Sequence, residues 1–461
     1  MSKLTKAFLG IDVGTTAIKL GVIAENQLLY QATINLKTYV EGPVKYQQSS
    51  ELEQAFVQGI QAIPAEVRQQ VELISFSTAM HSVMPVVDGV NGKIFIWSDE
   101  QASQVIEEFK HTDLAKHFYQ KTGTPIHPMS PFAKILYFGQ QKSYPKNVQW
   151  WGIKELLMDY FTGKARVDYS IASATGLFNL ETQQWDSEIL AYLEVAPKQL
   201  AELTDTTTAF LIDSGAAASL GLSTEAQVIA GASDGCLTAY ASFYRTGNTS
   251  SLTIGTSTAV RNLTEQPHFD VEKQNFCYYL DREHYVIGAP SNNGGCVLAW
   301  ASQAIGEPET FYQQLPATLA ASPLGAKGLR FFPYLNGERA PFWSSNKKAE
   351  FKHLTVEHTK DDLIRGVVEG MLMNVRILTG MVGARGALSV SGGFFQTDAL
   401  TQMTADLLGL PCMYAEENEP LFGLYYLIQQ PERIVEAGKT FVPDKYRAEQ
   451  YQKLAKDYFA E

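Results

Sequence analysis

Three short stretches of this chain combine glycine with hydroxyl side chains in a manner suited to phosphate. They are Asp12-Val13-Gly14-Thr15-Thr16, Gly255-Thr256-Ser257-Thr258 and Ser391-Gly392-Gly393-Phe394-Phe395-Gln396. Backbone N–H groups at such turns, joined by Thr or Ser hydroxyls, can hold a polyphosphate without a lysine for every oxygen. Asp12 would repel bare phosphate, and its presence makes sense where a largely water-coordinated Mg²⁺ sits between carboxylate and phosphates. Taken alone, the Asp12 pentapeptide reads equally well as a plain turn. Lys19, on the strand that returns from it, either adds a positive charge or faces solvent.

Other residues have the types needed to handle a hydroxylated substrate. Gly231-Ala232-Ser233-Asp234-Gly235-Cys236 follows the apolar strand pattern 227–230 and precedes a helical run over 237–243, which puts Asp234 at or just before a helix N-terminus. The commonest role of Asp there is an N-cap. Its chemical role would be a base for an attacking hydroxyl. The helix end stabilises the ionised form, which suits a base that mainly orients the hydroxyl and takes the proton late in a loose phosphoryl transfer. Ser77-Thr78-Ala79-Met80-His81-Ser82 follows strand 71–76, and Ile96-Trp97-Ser98-Asp99 comes shortly after, so His81, Trp97 and Asp99 fall at strand ends, where small polar substrates meet open α/β sheets. In the stretch 122–131, Pro125, Pro128 and Pro131 exclude a regular helix and leave either a rigid loop presenting His127 or a simple connector.

The elements that must position these residues are legible as patterns. Residues 7–11, 17–24 and 28–34 read as three consecutive antiparallel strands. The arrangement recurs at 251–254 and 259–263 around the second Gly and hydroxyl turn, which predicts a duplicated α/β architecture with a cleft between the copies. The third turn lies between a strand over 387–390 and a helix over 398–408. Further helical patterns span 99–109, 153–161, 188–193 and 360–381, and the Ala, Gly and Ser-rich stretch 213–222 reads as a tight surface turn. The boundary falls near residues 244–250, giving domains 1–245 and 246–461.

At 461 residues the chain exceeds one ordinary core, and 45% hydrophobic with 19% charged residues is enough to fill two. The 37 Lys and Arg against 49 Asp and Glu give a net charge of -12, which argues against a duplex-binding surface. Cys236, Cys277, Cys296 and Cys412 are widely spaced, as expected of thiols in a reducing compartment. Residues 1–6 are polar and lead into a strand with no basic-then-apolar leader, and no run of about 18 apolar residues occurs. The expectation is a soluble cytoplasmic protein.

The ordered series Gly10-Ile11-Asp12-Val13-Gly14-Thr15-Thr16, Met80-His81, Trp97-Ser98-Asp99, Gly231 to Asp234, Gly255-Thr256-Ser257, Pro333-Tyr334-Leu335, Gly337-Glu338-Arg339-Ala340-Pro341 and Ser391-Gly392-Gly393 resembles the FGGY family of carbohydrate kinases. The resemblance covers nearly the whole chain. It implies an α/β fold of two ribonuclease H-like domains of the actin, hexokinase and heat-shock ATPase type with a central cleft, and transfer of the γ-phosphoryl group of MgATP to a sugar or polyol. It implies Asp234 as catalytic base, which also meets the substrate, and Asp12 as the carboxylate near Mg²⁺, through water. Gly14, Thr15, Thr16 and Lys19 would form the first phosphate loop, Gly255, Thr256 and Ser257 the second, and Gly392, Gly393 and Phe394 the adenosine-side turn. Met80, His81, Trp97, Asp99 and His127 would contact the sugar. The loop around His127, with Ser291-Asn292-Asn293-Gly294-Gly295, is similar to the gluconate kinase branch, with xylulose or another sugar or polyol kinase as the alternative. His81, His127 and Arg261 are candidate partners for a substrate carboxylate. The partners expected are a sugar acid and ATP, with a homodimer left open, and neither nucleic acid nor a membrane.

Two departures stand out. Glu100 and Gln101 replace the Arg-Ala or Arg-Thr that usually follows the Trp-Ser-Asp segment. Glu416-Glu417-Asn418-Glu419-Pro420 leads into the bulky Leu421-Phe422-Gly423-Leu424-Tyr425-Tyr426 where the family has small residues, which would reshape the adenosine side. They keep open a second class of function, a catalytically weak regulatory relative that binds ATP and sugar.

Overall fold

The computed structural model describes residues 7–415, 419–433, 435 and 438–459. The polar start 1–6 and residues Glu416, Glu417 and Asn418 lie outside the described residues. The chain forms two compact units. One comprises Met1–Ala241, Glu265–Val286 and Glu419–Arg433, and the other Ser242–Thr264, Ile287–Asn418 and Ile434–Glu461. Segments 265–286 and 419–433 thus follow residue 245 in sequence yet pack with the first unit.

The first unit is built on a six-stranded sheet of β1 (Ala7–Val13), β2 (Ala17–Ala24), β3 (Gln27–Asn35), β4 (Val71–Thr78), β5 (Ala209–Leu211) and β6 (Gln227–Ser233), in the order β5-β6-β4-β1-β2-β3. The three expected antiparallel strands are β1, β2 and β3, while β1 pairs with β4, and β4 with β6, in parallel. All of β1 is buried, including Asp12 among its otherwise apolar residues and Gly10, whereas β3 is an edge strand with alternating exposure. Leu9, Ile11, Ile18, Ile74, Phe76, Leu157 and Phe161 belong to the core beneath this sheet.

Helix α1 (Pro131–Gln140) belongs to a second core with Phe109, Phe118 and Tyr119, while α2 (Ile153–Thr162) and α3 (Tyr169–Ser173) pack against the sheet and α4 (Asp234–Thr246) continues from β6. The proline loop ends where Ser130 caps α1 by accepting the Ala133 N–H and Pro131 occupies the first helical position. The stretch 213–222 is a short helix, Ser214–Leu220, rather than a turn. Asp213 accepts the Gly215 and Ala216 N–H groups, and its alanines favour helix once that cap forms.

The second unit repeats the pattern. Its strands β7 (Ser250–Ile254), β8 (Thr258–Thr264), β9 (Tyr285–Ser291), β10 (Leu388–Ser391), β11 (Cys412–Tyr414) and β12 (Thr440–Phe441) run in the order β9-β8-β7-β10-β11-β12. As with β1, β2 and β4, an antiparallel hairpin of β7 and β8 is joined by a parallel partner, β10. The helices are α5 (Gly295–Ala304), α6 (Lys360–Met381) and α7 (Asp398–Leu408). The 22-residue α6 starts where Thr359 and Asp362 exchange hydrogen bonds in a capping box.

The last helix considered, α8 (Pro420–Gln429), belongs to the first unit. A Cβ at either Gly10 or Gly21 would come within 2.5 Å of the Leu421 side chain. The bulky residues of α8 are therefore taken up by glycines of the β1–β2 hairpin. Among the described residues no helix is long and apolar enough to cross a membrane.

Candidate active site

Asp12 lies near the end of β1, with Ser77 of β4 on one side and Lys19 of β2 on the other. Ser77 Oγ donates to Asp12 Oδ1 at 2.6 Å. Burial pushes the Asp12 carboxyl up to about 7. The Ser77 hydrogen bond and Lys19 pull it down, while the Asp234 and Glu419 carboxylates push it further up. Lys19 keeps about a third of its side chain in solvent, yet its Nζ lies 2.8 Å from Glu419 Oε1, so it serves this acidic group. Asp234 is the first residue of α4. Its Oδ1 accepts the adjacent Gly235 N–H at 2.7 Å, and its carbonyl accepts the Thr238 hydroxyl.

An ionised Asp12, buried near two more carboxylates, favours a nearby cation. Among the described residues no three His, Cys, Asp or Glu side chains are grouped to hold a metal ion by themselves. The buried Asp12 carboxylate, a hard oxygen donor, fits a hard divalent cation that takes most of its ligands from water and phosphate. In the adjoining turn the Gly14 N–H closes onto Ala17 O, Gln47 holds the Thr15 carbonyl, and Thr16 is exposed.

Of the residues expected to meet the sugar, Trp97 is exposed, Met80 and His127 are half-buried, and His81 and Asp99 are buried. His81 has a φ of 67°, and its Nδ1 is 2.7 Å from Ala174 O. His127 Nδ1 accepts the Met129 N–H. Asp99 accepts the Lys45 N–H at 2.9 Å and the Gln101 side-chain amide at 3.0 Å, so Gln101 itself anchors the loop at which the sequence departs from its relatives.

The structure adds Lys134 of α1, which sequence reasoning missed. It is fully buried, and its Nζ donates to the His81 carbonyl at 3.2 Å and to the Met129 carbonyl, tying two of the expected sugar segments together. Burial pushes this ammonium down to about 7, and Asp99 pulls it back up. The signal was a single lysine inside the apolar run Pro131-Phe132-Ala133-Lys134-Ile135-Leu136.

In the second unit, Gly255, Thr256, Gly393 and Phe394 border a cavity of about 530 Å³, together with Ile254, Gly295, Cys296, Leu298, Ala299, Tyr312 and Gln396. The volume lies within the range of small-molecule sites. The second and third turns singled out in the sequence thus share one pocket wall. Thr256 and Ser257 are exposed, while Phe394 is buried. Gly392 has a φ of 98°, and a Cβ there would approach Ile254 O to 2.4 Å, so only glycine fits. Behind this turn, Glu338 accepts the Asn292 N–H at 3.0 Å and the Ser291 hydroxyl at 2.6 Å, fixing the segment whose Gly295 N–H reaches Gly255 O.

These features define a phosphotransferase of the sugar kinase class. The model for the N-terminal domain of the FGGY family of carbohydrate kinases matches residues 7–241, that for its C-terminal domain matches 250–427, and the chain belongs to this family. It is 34% identical over 450 residues to a gluconokinase of Bacillus licheniformis, covering 92% of this chain and 88% of that one. With a xylulose kinase of Staphylococcus epidermidis the identity is 27%, covering 89% and 85%. A solved gluconate kinase from Lactobacillus acidophilus superposes with a TM-score of 0.91 at 29% identity, covering 98% of this chain and 97% of the other. The protein is a carbohydrate kinase with the two-domain FGGY fold.

Proposed function

We propose that this kinase transfers the γ-phosphoryl group of ATP to D-gluconate, giving 6-phospho-D-gluconate and ADP. The observation that carries the chemistry is the buried Asp12 carboxylate, held by Ser77 within electrostatic reach of Asp234. The choice of a sugar acid is supported by the 34% identity to a gluconokinase.

In this reading Asp234 orients the reacting hydroxyl and takes its proton as the bond to phosphorus forms. Mg²⁺, when bound, would neutralise phosphate charge and polarise the transferred group. Asp12 would hold its water shell. Gly14, Thr15, Thr16 and Lys19, and likewise Gly255, Thr256 and Ser257, would bind phosphate oxygens through N–H groups, hydroxyls and one ammonium. Gly392, Gly393 and Phe394 border the adenosine. Met80, His81, Trp97, Asp99 and His127 orient the sugar, and the cytoplasm is the working compartment.

The test is ADP release measured side by side with gluconate, xylulose, ribulose and glycerol. Gluconate should give the highest kcat/KM by at least about tenfold, the discrimination that a site built for several hydroxyls and a carboxylate supports. The xylulose kinase relative at 27% identity makes xylulose the second reading, and a preference for it would replace gluconate.

A further inference from the structure

We propose that Lys154, a buried lysine with no direct part in the chemistry, is a positioning residue that sets the location of Asp234. The proposal rests on the reading of Asp234 as the base.

The sheet has a fault between β4 and β6. Strands β4 and β6 pair in step from Gln227 with Leu73 to Ile229 with Ser75, then the register slips, so that Ala232 and Ser233 stand beside Ser77 and Thr78. The slip lies at Ala230 and Gly231. Gly231 has a φ of 74°, and a Cβ there would come within 2.2 Å of Phe76 O, which requires glycine. A slipped ladder leaves buried carbonyls that need other donors.

Lys154 of α2 supplies them. Its Nζ donates to Phe76 O at 2.9 Å and to Ala230 O, and lies 3.0 Å from Asp168 Oδ2. Three oxygens thus surround an ammonium that has three N–H donors. Both side chains of the Lys154–Asp168 pair are fully buried. Such pairs contribute little net stability relative to apolar replacements, which directs attention to what this one places.

Asp168 caps α3 by accepting the Ile171 N–H at 2.9 Å. From α3, Ser170 Oγ accepts the Ser233 N–H at 3.1 Å and is 3.0 Å from Ser233 Oγ. Ser233 immediately precedes Asp234. On the other strand, Phe76 immediately precedes Ser77, the hydrogen-bond donor to Asp12. One ammonium therefore fixes the strand slip that aims Asp234, the short helix that grips the residue before it, and the approach to Asp12.

The experiment combines Lys154→Met with Asp168→Asn, so that no lone charge stays buried, and separately makes Ser170→Ala. Each is measured in the otherwise native enzyme and in the Asp234→Asn background. Displacing a reacting group by about an ångström costs up to about a hundredfold. We expect kcat to fall about 10- to 100-fold in the double variant and about 3- to 10-fold in Ser170→Ala, with both KM values within about threefold. Amide exchange over residues 229–236 should quicken, and neither change should add to the loss already caused by Asp234→Asn. A folded double variant with native kcat, or losses that multiply with that of Asp234→Asn, would overturn the proposal. If the double variant does not fold, an unchanged kcat in Ser170→Ala overturns it. If Asp234→Asn keeps native turnover, the base reading falls separately, and unchanged exchange in Ser170→Ala then sinks the Lys154 proposal as well.

Discussion

Lys19 Nζ lies 2.8 Å from Glu419 Oε1, a contact between residues 400 positions apart in the chain. Because β2 sets Lys19 directly across from Asp12, the same ammonium offsets two carboxylates beside the turn proposed to bind phosphate. A polyphosphate bound at that turn would meet a cation already held in place.

Replacing Lys19 with Met separates structure from binding. The ion pair is partly solvated, with side chains 36% and 27% exposed. Its loss should lower stability by less than about 1 kcal/mol. The KM for ATP should nonetheless rise about three- to tenfold, as expected when one charge-assisted contact is removed. Thermal unfolding and ATP titration check the two halves. An unchanged KM would remove Lys19 from the phosphate site.

Asp12 carries a pH signature. Burial raises its carboxyl from 3.8 to about 7, so the folded protein binds a proton there that the unfolded chain has released. Between about pH 4 and 7 the native state holds more protons, and the contribution of this group to stability therefore falls as pH rises across that window. Asp12→Asn should be more stable than the native protein at pH 8, by about 2–4 kcal/mol. The difference should shrink toward pH 4. Denaturant unfolding at several pH values checks it, and a pH-independent difference would contradict the assigned shift.

Asp234→Asn should reduce turnover by about 10²- to 10⁴-fold, the range for loss of a general base, with ATP affinity changed little. Single-turnover kinetics and calorimetric ATP binding supply the comparison. Retained phosphorylation would move the base elsewhere.

Gly392→Ala tests the third turn. With φ at 98° and Ile254 O only 2.4 Å from the added Cβ, the turn must shift. We expect a loss of about 1–3 kcal/mol in stability and weaker nucleotide binding. Melting temperatures with and without ATP would show both, and an unaltered protein would mean that the turn relaxes freely.

The fold was readable where local rules and tertiary demands agree. The helical pattern over 360–381 matches α6, Lys360–Met381, and the β1–β2–β3 strands followed from strand-like composition broken by turn residues. Gly and hydroxyl turns are distinctive in sequence, and two of them, at Gly255 and Gly393, border one cavity. The buried lysines are harder to read, since only the apolar run around Lys134 hints at burial, and the carbonyl partners of Lys134 and Lys154 come from tertiary packing. At Asp99 nothing in the sequence context signals that the carboxylate also holds the Lys45 N–H and the Gln101 amide. Nor could local patterns show that residues 419–433 pack with the first unit, because that depends on Leu421 meeting Gly10 and Gly21.

The seating of Leu421 against those glycines also bears on how the protein is made. The hollow at Gly10 and Gly21 emerges from the ribosome first, and its filling, Leu421, emerges about 400 residues later. At typical elongation rates of about 5–20 residues per second, the first unit waits for tens of seconds without its last helix. During that interval the β1–β2 hairpin exposes apolar surface, so nascent chains arrested before Pro420 should bind chaperones and yield to protease more readily than chains released at full length.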